Sequence, residues 1–322
     1  MASKLETTLH PAELPAPRSF WRRKVWLLPL VLIALVAVYY LGGALYLHQI
    51  DDDLDFGLES SAPAGGSKSV ALAADLIDRE IDQNHWVAND PFFMPGVLLD
   101  NMPNYQQGII AGLSRFTIEL ADQIGRTRGS SQVDPDLERA AGLMRYPGTV
   151  WIFDFQTSWA PTASSEAQYR RAARALETYN ERLAAGEAVF EPRADNLLAT
   201  MSRIGADVGS ASGALNDRIE SGAWLDFQAD DLFYRTKGRL YAYYLLARAL
   251  RSDFGAVMEE RDLGPAWDQM LESLGRAAGL HPWVVMNGTP DGVLQPNHLA
   301  AQGFYLLRAR TQLKEIMDIL LK

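Results

Sequence analysis

Three carboxylates carry what catalytic chemistry this sequence offers. Asp154 lies in Phe153-Asp154-Phe155 and Asp226 in Leu225-Asp226-Phe227, each acid group within an apolar, aromatic run, while Glu272 falls in a helical stretch. Paired carboxylates serve as acid and base in glycoside cleavage, so the enzymatic reading is a cell-wall-acting hydrolase or lyase. The competing reading is structural. A carboxylate drawn into an apolar interior needs a cation or hydrogen-bond donors. Arg170 and Arg174 after Asp154, and Arg235 and Arg239 after Asp226, are spaced to supply them. A structural ion pair is the preferred expectation for both aspartates, and a solvent-facing helix position for Glu272.

Other chemistries find little footing. The chain has no cysteine, which removes disulfides, thiolate catalysis and cysteine-ligated zinc. The histidines beyond residue 50 are His85, His281 and His298, and no two share the spacing that puts a pair of ligands on one helix face. Gly-x-Ser-x-Gly elbows, Ser-x-x-Lys pairs and phosphate-cradling glycine loops are missing, so no metal and no cofactor is expected. Glu272-Ser273 is superficially similar to the Glu-Ser of lytic transglycosylases, but the glycine- and glutamine-containing motif those enzymes carry downstream is lacking. Gly205, Gly209 and Gly213 recur every four residues with Arg203, Asp207 and Asn216 around them. That mixture points to close packing inside the domain, or to a break between two helices, rather than to a membrane dimer.

The elements that position these residues begin with a membrane anchor. Residues 25–47 contain no charge and as a helix would be roughly 34 Å long, enough to cross a bilayer core of about 30 Å. Arg18, Arg22, Arg23 and Lys24 precede the segment, and Asp51, Asp52, Asp53 and Asp55 follow it. The cation bias puts the basic segment 1–24 in the cytoplasm and the rest outside. A cleaved signal peptide is the alternative, but the apolar stretch is long for one and no small-x-small site follows. Residues 48–69, acidic and then rich in Ser, Ala, Pro and Gly, read as a flexible spacer. The folded domain is expected over 70–322. Of 30 basic and 40 acidic residues, 5 and 2 lie in the first 50, which leaves 25 and 38, a net charge of −13. Such a surface repels nucleic acid and anionic headgroups, so neither is expected as a partner of the domain.

Within the domain the periodicity is helical. Val70, Ala73, Ala74, Ile77 and Ile81 form one stripe, and Ile109, Leu113, Phe116, Leu120 and Ile124 another. Asp134-Pro135 signals a helix start, Ser165 with Gln168 a capping box, and further helices are expected from Pro192, Ala229, Pro265 and Asn297. Only residues 149–155 look strand-like, and one such run makes no sheet. A similar octet recurs at 109–116, 197–204 and 270–277, each followed by a tryptophan and a second helix. Two readings stand: three helical hairpins stacked in one array, or chance recurrence of a helical pattern. The fold class is therefore all-α, a single N-terminal transmembrane helix plus a multi-helix domain. The loop at Asn89–Gly96 carries Phe92 and Phe93 and either forms a contact surface, with the membrane within reach, or folds back into the core.

The segments at residues 84–96, 99–108, 229–243, 282–288 and 297–311 together resemble an uncharacterised family of bacterial inner-membrane proteins, known only as a domain of unknown function. The resemblance implies a bacterial inner membrane and a periplasmic domain, and supplies no catalytic residues. The expected function is a membrane-tethered periplasmic scaffold or adaptor. Its expected partners are the lipid bilayer and an unidentified envelope protein.

Overall fold

The computed structural model describes residues 27–58, 62–125, 133–153, 159–221, 226–288 and 296–322. Ten α-helices and no strand occur among the described residues. The first, α1 (Leu27–Leu47), has no buried residue and is apolar all round, so its sequence does not fit a surface helix, which would show one polar face. At 21 residues it is roughly 31 Å long. Among the described residues it is the one helix long and apolar enough to cross a membrane.

The domain is built around the crossing of α3 (Asn101–Glu119) and α7 (Phe227–Asp253), its most extensive helix contact. On one side lie α2 (Lys68–Asp78), α4 (Pro135–Met144) and α5 (Ser165–Ala184). On the other lie α6 (Ala194–Ser221), α9 (Gly264–Ala278) and α10 (His298–Leu320), with the short α8 (Gly255–Glu260) joining α7 to α9. The central pair approaches closely because each helix offers a glycine to the other's backbone. A methyl built on Gly108 would overlap the Arg235 carbonyl, and one on Gly238 would overlap the Tyr105 carbonyl. The apolar stripes predicted from sequence line the shared core, with Val70, Ile77, Ile109, Leu113, Leu120 and Ile124 each 0% exposed. On α10, Leu299, Leu306, Leu313 and Leu320 are buried.

Asp134 caps α4 as its sequence signals, accepting from the backbone N–H groups of Asp136 and Leu137. The cap of α5 is Ser164, one residue before the expected Ser165. The Ser165 hydroxyl is engaged elsewhere, donating to the Pro147 carbonyl at 2.7 Å. Residues 149–153 form no strand. Their backbone groups bond locally instead, with Thr162 N–H donating to Ile152 and Ser165 N–H to Val150. The array of three hairpins does not form as drawn. The helices α9 and α10 pair, but α3 packs on α7 rather than on its successor α5, and α6 packs mainly on α10. The glycine spacing at Gly205, Gly209 and Gly213 causes no break, because α6 runs through it; Gly209 faces the Arg310 side chain.

The segment expected as a flexible spacer is also different over residues 51–56, which lie along α2, α3 and α7 as a strap. Its carbonyls find donors there, as an irregular segment's backbone groups must. Arg79 and Tyr105 donate to the Asp51 carbonyl, Tyr241 to that of Asp53, and Arg248 to those of Leu54 and Phe56. Ser67, Lys68 and Ser69 are then fixed by the Asp253 carboxylate, which accepts from two hydroxyls and two backbone N–H groups.

The glycine crossing yields a test. Gly238→Ala places a methyl against main chain that cannot swing aside and should cost about 1–3 kcal/mol. Gly213→Ala meets open space in a helix interior and should gain up to about 1 kcal/mol. Denaturation of the full chain in detergent measures both. Equal stabilities for the two variants would refute the close crossing.

Candidate functional site

Asp154 lies outside the described residues. Asp226 is the N-cap of α7, accepting from the Ala229 N–H, and pairs with Arg218. The partner thus comes from the preceding helix α6, not from Arg235 or Arg239, because the cap position turns the carboxylate back toward the end of α6. Burial opposes ionisation of Asp226, but hydrogen bonds from Arg218 and its charge outweigh that and hold the carboxyl below its usual range. Glu272 is half exposed on α9 and pairs with Arg276 one turn on, at 2.8 Å. Of the other arginines considered, Arg170 binds Asp82, and Arg235 donates to Asn104 at 3.0 Å.

His85 adopts a positive φ of 59°, and its carbonyl accepts from Gln106. His298 accepts at Nδ1 from the Met286 N–H at 2.9 Å, and burial lowers its pKa. His281 meets Asp52 at 3.1 Å. Among the described residues no group of three His, Asp or Glu side chains is placed to hold a metal ion.

The concentration of buried charge lies where the strap meets the helices. Beyond residue 78 the helix α2 widens into a π-helical turn, Arg79–Gln83, with both Arg79 and Glu80 in the interior. Arg79 donates to Glu80 at 2.8 and 3.0 Å, to the Tyr241 hydroxyl at 2.8 Å and to the Asp51 carbonyl at 3.0 Å. Its guanidinium also lies 4.4 Å from the Phe56 ring centroid, a cation–π contact. Glu80 is fully buried. Burial pushes its carboxyl up in pKa against the opposing charge of Arg79, and its Oε2 has no hydrogen-bond partner among the described residues. Alongside, Lys237 is 1% exposed, bonded to Asp52 at 2.6 Å and to the Leu280 carbonyl at 2.7 Å. Burial lowers the Lys237 pKa, and Asp52 opposes that shift.

Beside this junction is an acidic cluster. Asn104 donates to Asp231 at 2.7 Å, and Asp100 stands next to both. Asp230 is pushed up to about 6, by burial first and then by Asp100 and Asp231. The cluster borders a cavity of about 580 Å³ between α1 and the domain, walled by Leu41, Ala44, Leu45 and Leu98. Sequence reading missed this junction. One signal was present: Lys237 falls on the same helical face as Phe233, Leu240 and Tyr241, so it had to be buried and needed a carboxylate.

Together these features define an all-helical domain whose polar interior is closed by the segment that leads from an N-terminal apolar helix. The chain belongs to the DUF2333 family, uncharacterized proteins conserved in bacteria, whose family model matches residues 58–223 and 216–322. No curated protein and no solved structure matches it.

The raised carboxylates give the domain a pH signature. Asp78, Asp90 and Asp230 are each pushed from 3.8 to about 6, burial being the largest cause for all three. The folded state thus holds these protons more tightly than the unfolded chain. Their stabilisation is full below pH 3.8 and is lost as pH rises through 6. His298 acts in the opposite sense, as a single group. The full chain should therefore denature less readily at pH 5 than at pH 7. Asp230→Asn should narrow that difference by raising stability at pH 7, and an unchanged difference would contradict the assignment.

Proposed function

We propose that this protein is a single-pass inner-membrane protein with its N-terminus in the cytoplasm, whose periplasmic helical domain serves as a scaffold or adaptor in the cell envelope. The observation that carries the reading is the strap. It joins the end of α1 to the buried Arg79 and Lys237, so the domain is mounted on its helix rather than hung from a free linker. Retention of α1 is supported by its direct contacts with the domain, since Tyr39 and Tyr40 donate to the carbonyls of Phe93 and Phe92. The arginines and lysine before α1 and the aspartates after it favour this orientation. A scaffold role accords with Asp226 being engaged as a cap and by Arg218, and Glu272 by Arg276. Trp283, Val284, Phe304 and Leu307 stand exposed around the α9–α10 hairpin, apolar surface of the kind protein contacts use.

Photo-crosslinkers at positions 283 and 307 of the full chain in cells should trap a discrete envelope protein, while one at the exposed, polar position 181 should not. The reading fails if positions 283 and 307 give no adduct. It is replaced by the hydrolase reading if the purified full chain releases muropeptides from peptidoglycan and Asp226→Asn or Glu272→Gln abolishes the release.

A further inference from the structure

The loop between the π-turn of α2 and α3 is unusual in what it exposes and in how it satisfies its backbone. Residues 91–99 (PFFMPGVLL) carry no charge. Phe92 is 80% exposed and Leu98 54%, with Phe93 and Val97 also exposed. Pro91 and Pro95 have no N–H to satisfy. The Phe92 and Phe93 carbonyls accept from Tyr40 and Tyr39 at 2.8 and 3.0 Å. Met94 N–H bonds to Pro91, Val97 N–H to Met94, Leu99 N–H to Gly96, and the Gly96 N–H is taken by Asp90. Meeting these polar groups internally lowers the cost of bringing non-helical backbone to the edge of a bilayer.

Its height along α1 is fixed by the same two hydrogen bonds. Tyr39 and Tyr40 lie seven or eight residues before Leu47, which is roughly 10–12 Å back along the helix axis. Gly43 allows this approach, because a methyl there would overlap the Pro95 ring. The apolar surface continues away from the helix. Trp151 packs edge-on against Phe93 at 5.4 Å, Phe153 follows Trp151 at 5.7 Å, and Ile152 is exposed beside them. Large amphipathic rings are favoured at the boundary between headgroups and acyl chains.

We infer that residues 91–98 form a wedge that enters the outer leaflet of the membrane alongside α1, giving the domain a second, non-spanning membrane contact. The occupant of this surface is lipid because it is continuous with a helix that is apolar all round and has no buried residue, and because it meets that helix inside its apolar length. The wedge has no cation, so its insertion depends on apolar contact and not on anionic headgroups. The inference rests on the membrane reading of α1 proposed above.

The absence of native cysteine permits single-site labels in the full chain. An environment-sensitive fluorophore is attached at Phe92→Cys, with Val97→Cys as a second reporter, in vesicles of phosphatidylethanolamine and phosphatidylglycerol. Leu35→Cys within α1 and Glu181→Cys on α5 serve as controls, and spin-labelled lipids are the quenchers. Positions 92 and 97 should shift to the blue and be quenched by shallow lipid labels, position 35 by deep ones, and position 181 by neither. A label at 92 as solvent-exposed and unquenched as that at 181, with 35 still quenched, overturns the wedge and leaves the anchor standing. A blue-shifted label at 92 that no lipid quenches means protein covers the loop, and also overturns it. Loss of quenching at 35 removes the membrane reading itself.

Discussion

Arg79 is a permanent cation held at 2% exposure, and much of the molecule follows from satisfying it. Its nearest anion, Glu80, is itself 0% exposed, so the pair alone would leave donors unmet and a carboxylate poorly solvated. The remaining donors are met by Tyr241 from α7 and by Asp51 from the strap, and the guanidinium faces are covered by Phe56 and Tyr241. Three segments distant in the chain must therefore meet at one point. Since α7 reaches that point only by crossing α3 at Gly108 and Gly238, the glycine contact and the ionic junction require each other.

The same requirement determines how the domain relates to α1. A helix followed by an acidic, small-residue segment would ordinarily leave a domain free to tumble. Here the first acidic residues are consumed as counter-ions, Asp51 by Arg79 and Asp52 by Lys237, and the next carbonyls are taken by Tyr241 and Arg248. Little slack is left between the end of α1 and the start of the strap. On the proposed membrane reading, this holds the domain at a set height and angle, with the loop around Phe92 against the helix. On the proposed adaptor reading, a domain fixed in this way presents its far surface in one orientation, which suits it to organising partners more than to searching for them.

The sequence made local structure legible and long-range pairing largely illegible. Helix faces were readable because stripes such as Val70–Ile81 and Ile109–Ile124 follow one period, and the Asp134 cap because its chemistry is local. Which faces meet is not local information. Gly108 and Gly238 mark the crossing only once both helices are placed, whereas Gly205, Gly209 and Gly213 carried the more obvious spacing and face mainly side chains. Residues 51–55 read as part of a flexible spacer because runs of aspartate are usually solvated. Their docking against the helices depends on Arg79 and Lys237, which lie 28 and 185 residues away from their partners Asp51 and Asp52. Of the candidate carboxylates, the structural reading of Asp226 was legible in its apolar setting, but its partner Arg218 was not, since a cap can turn toward either flanking helix.

Rigid mounting of the domain on α1 is the central claim, and pulsed electron–electron distance measurement tests it most directly. Spin labels at Leu45→Cys and Glu181→Cys of the full chain would be compared in detergent and in lipid vesicles. A strap locked by Arg79 and Lys237 gives one narrow distance distribution in both media. A broad distribution, of the width expected for a flexible linker of some twenty residues, would contradict it.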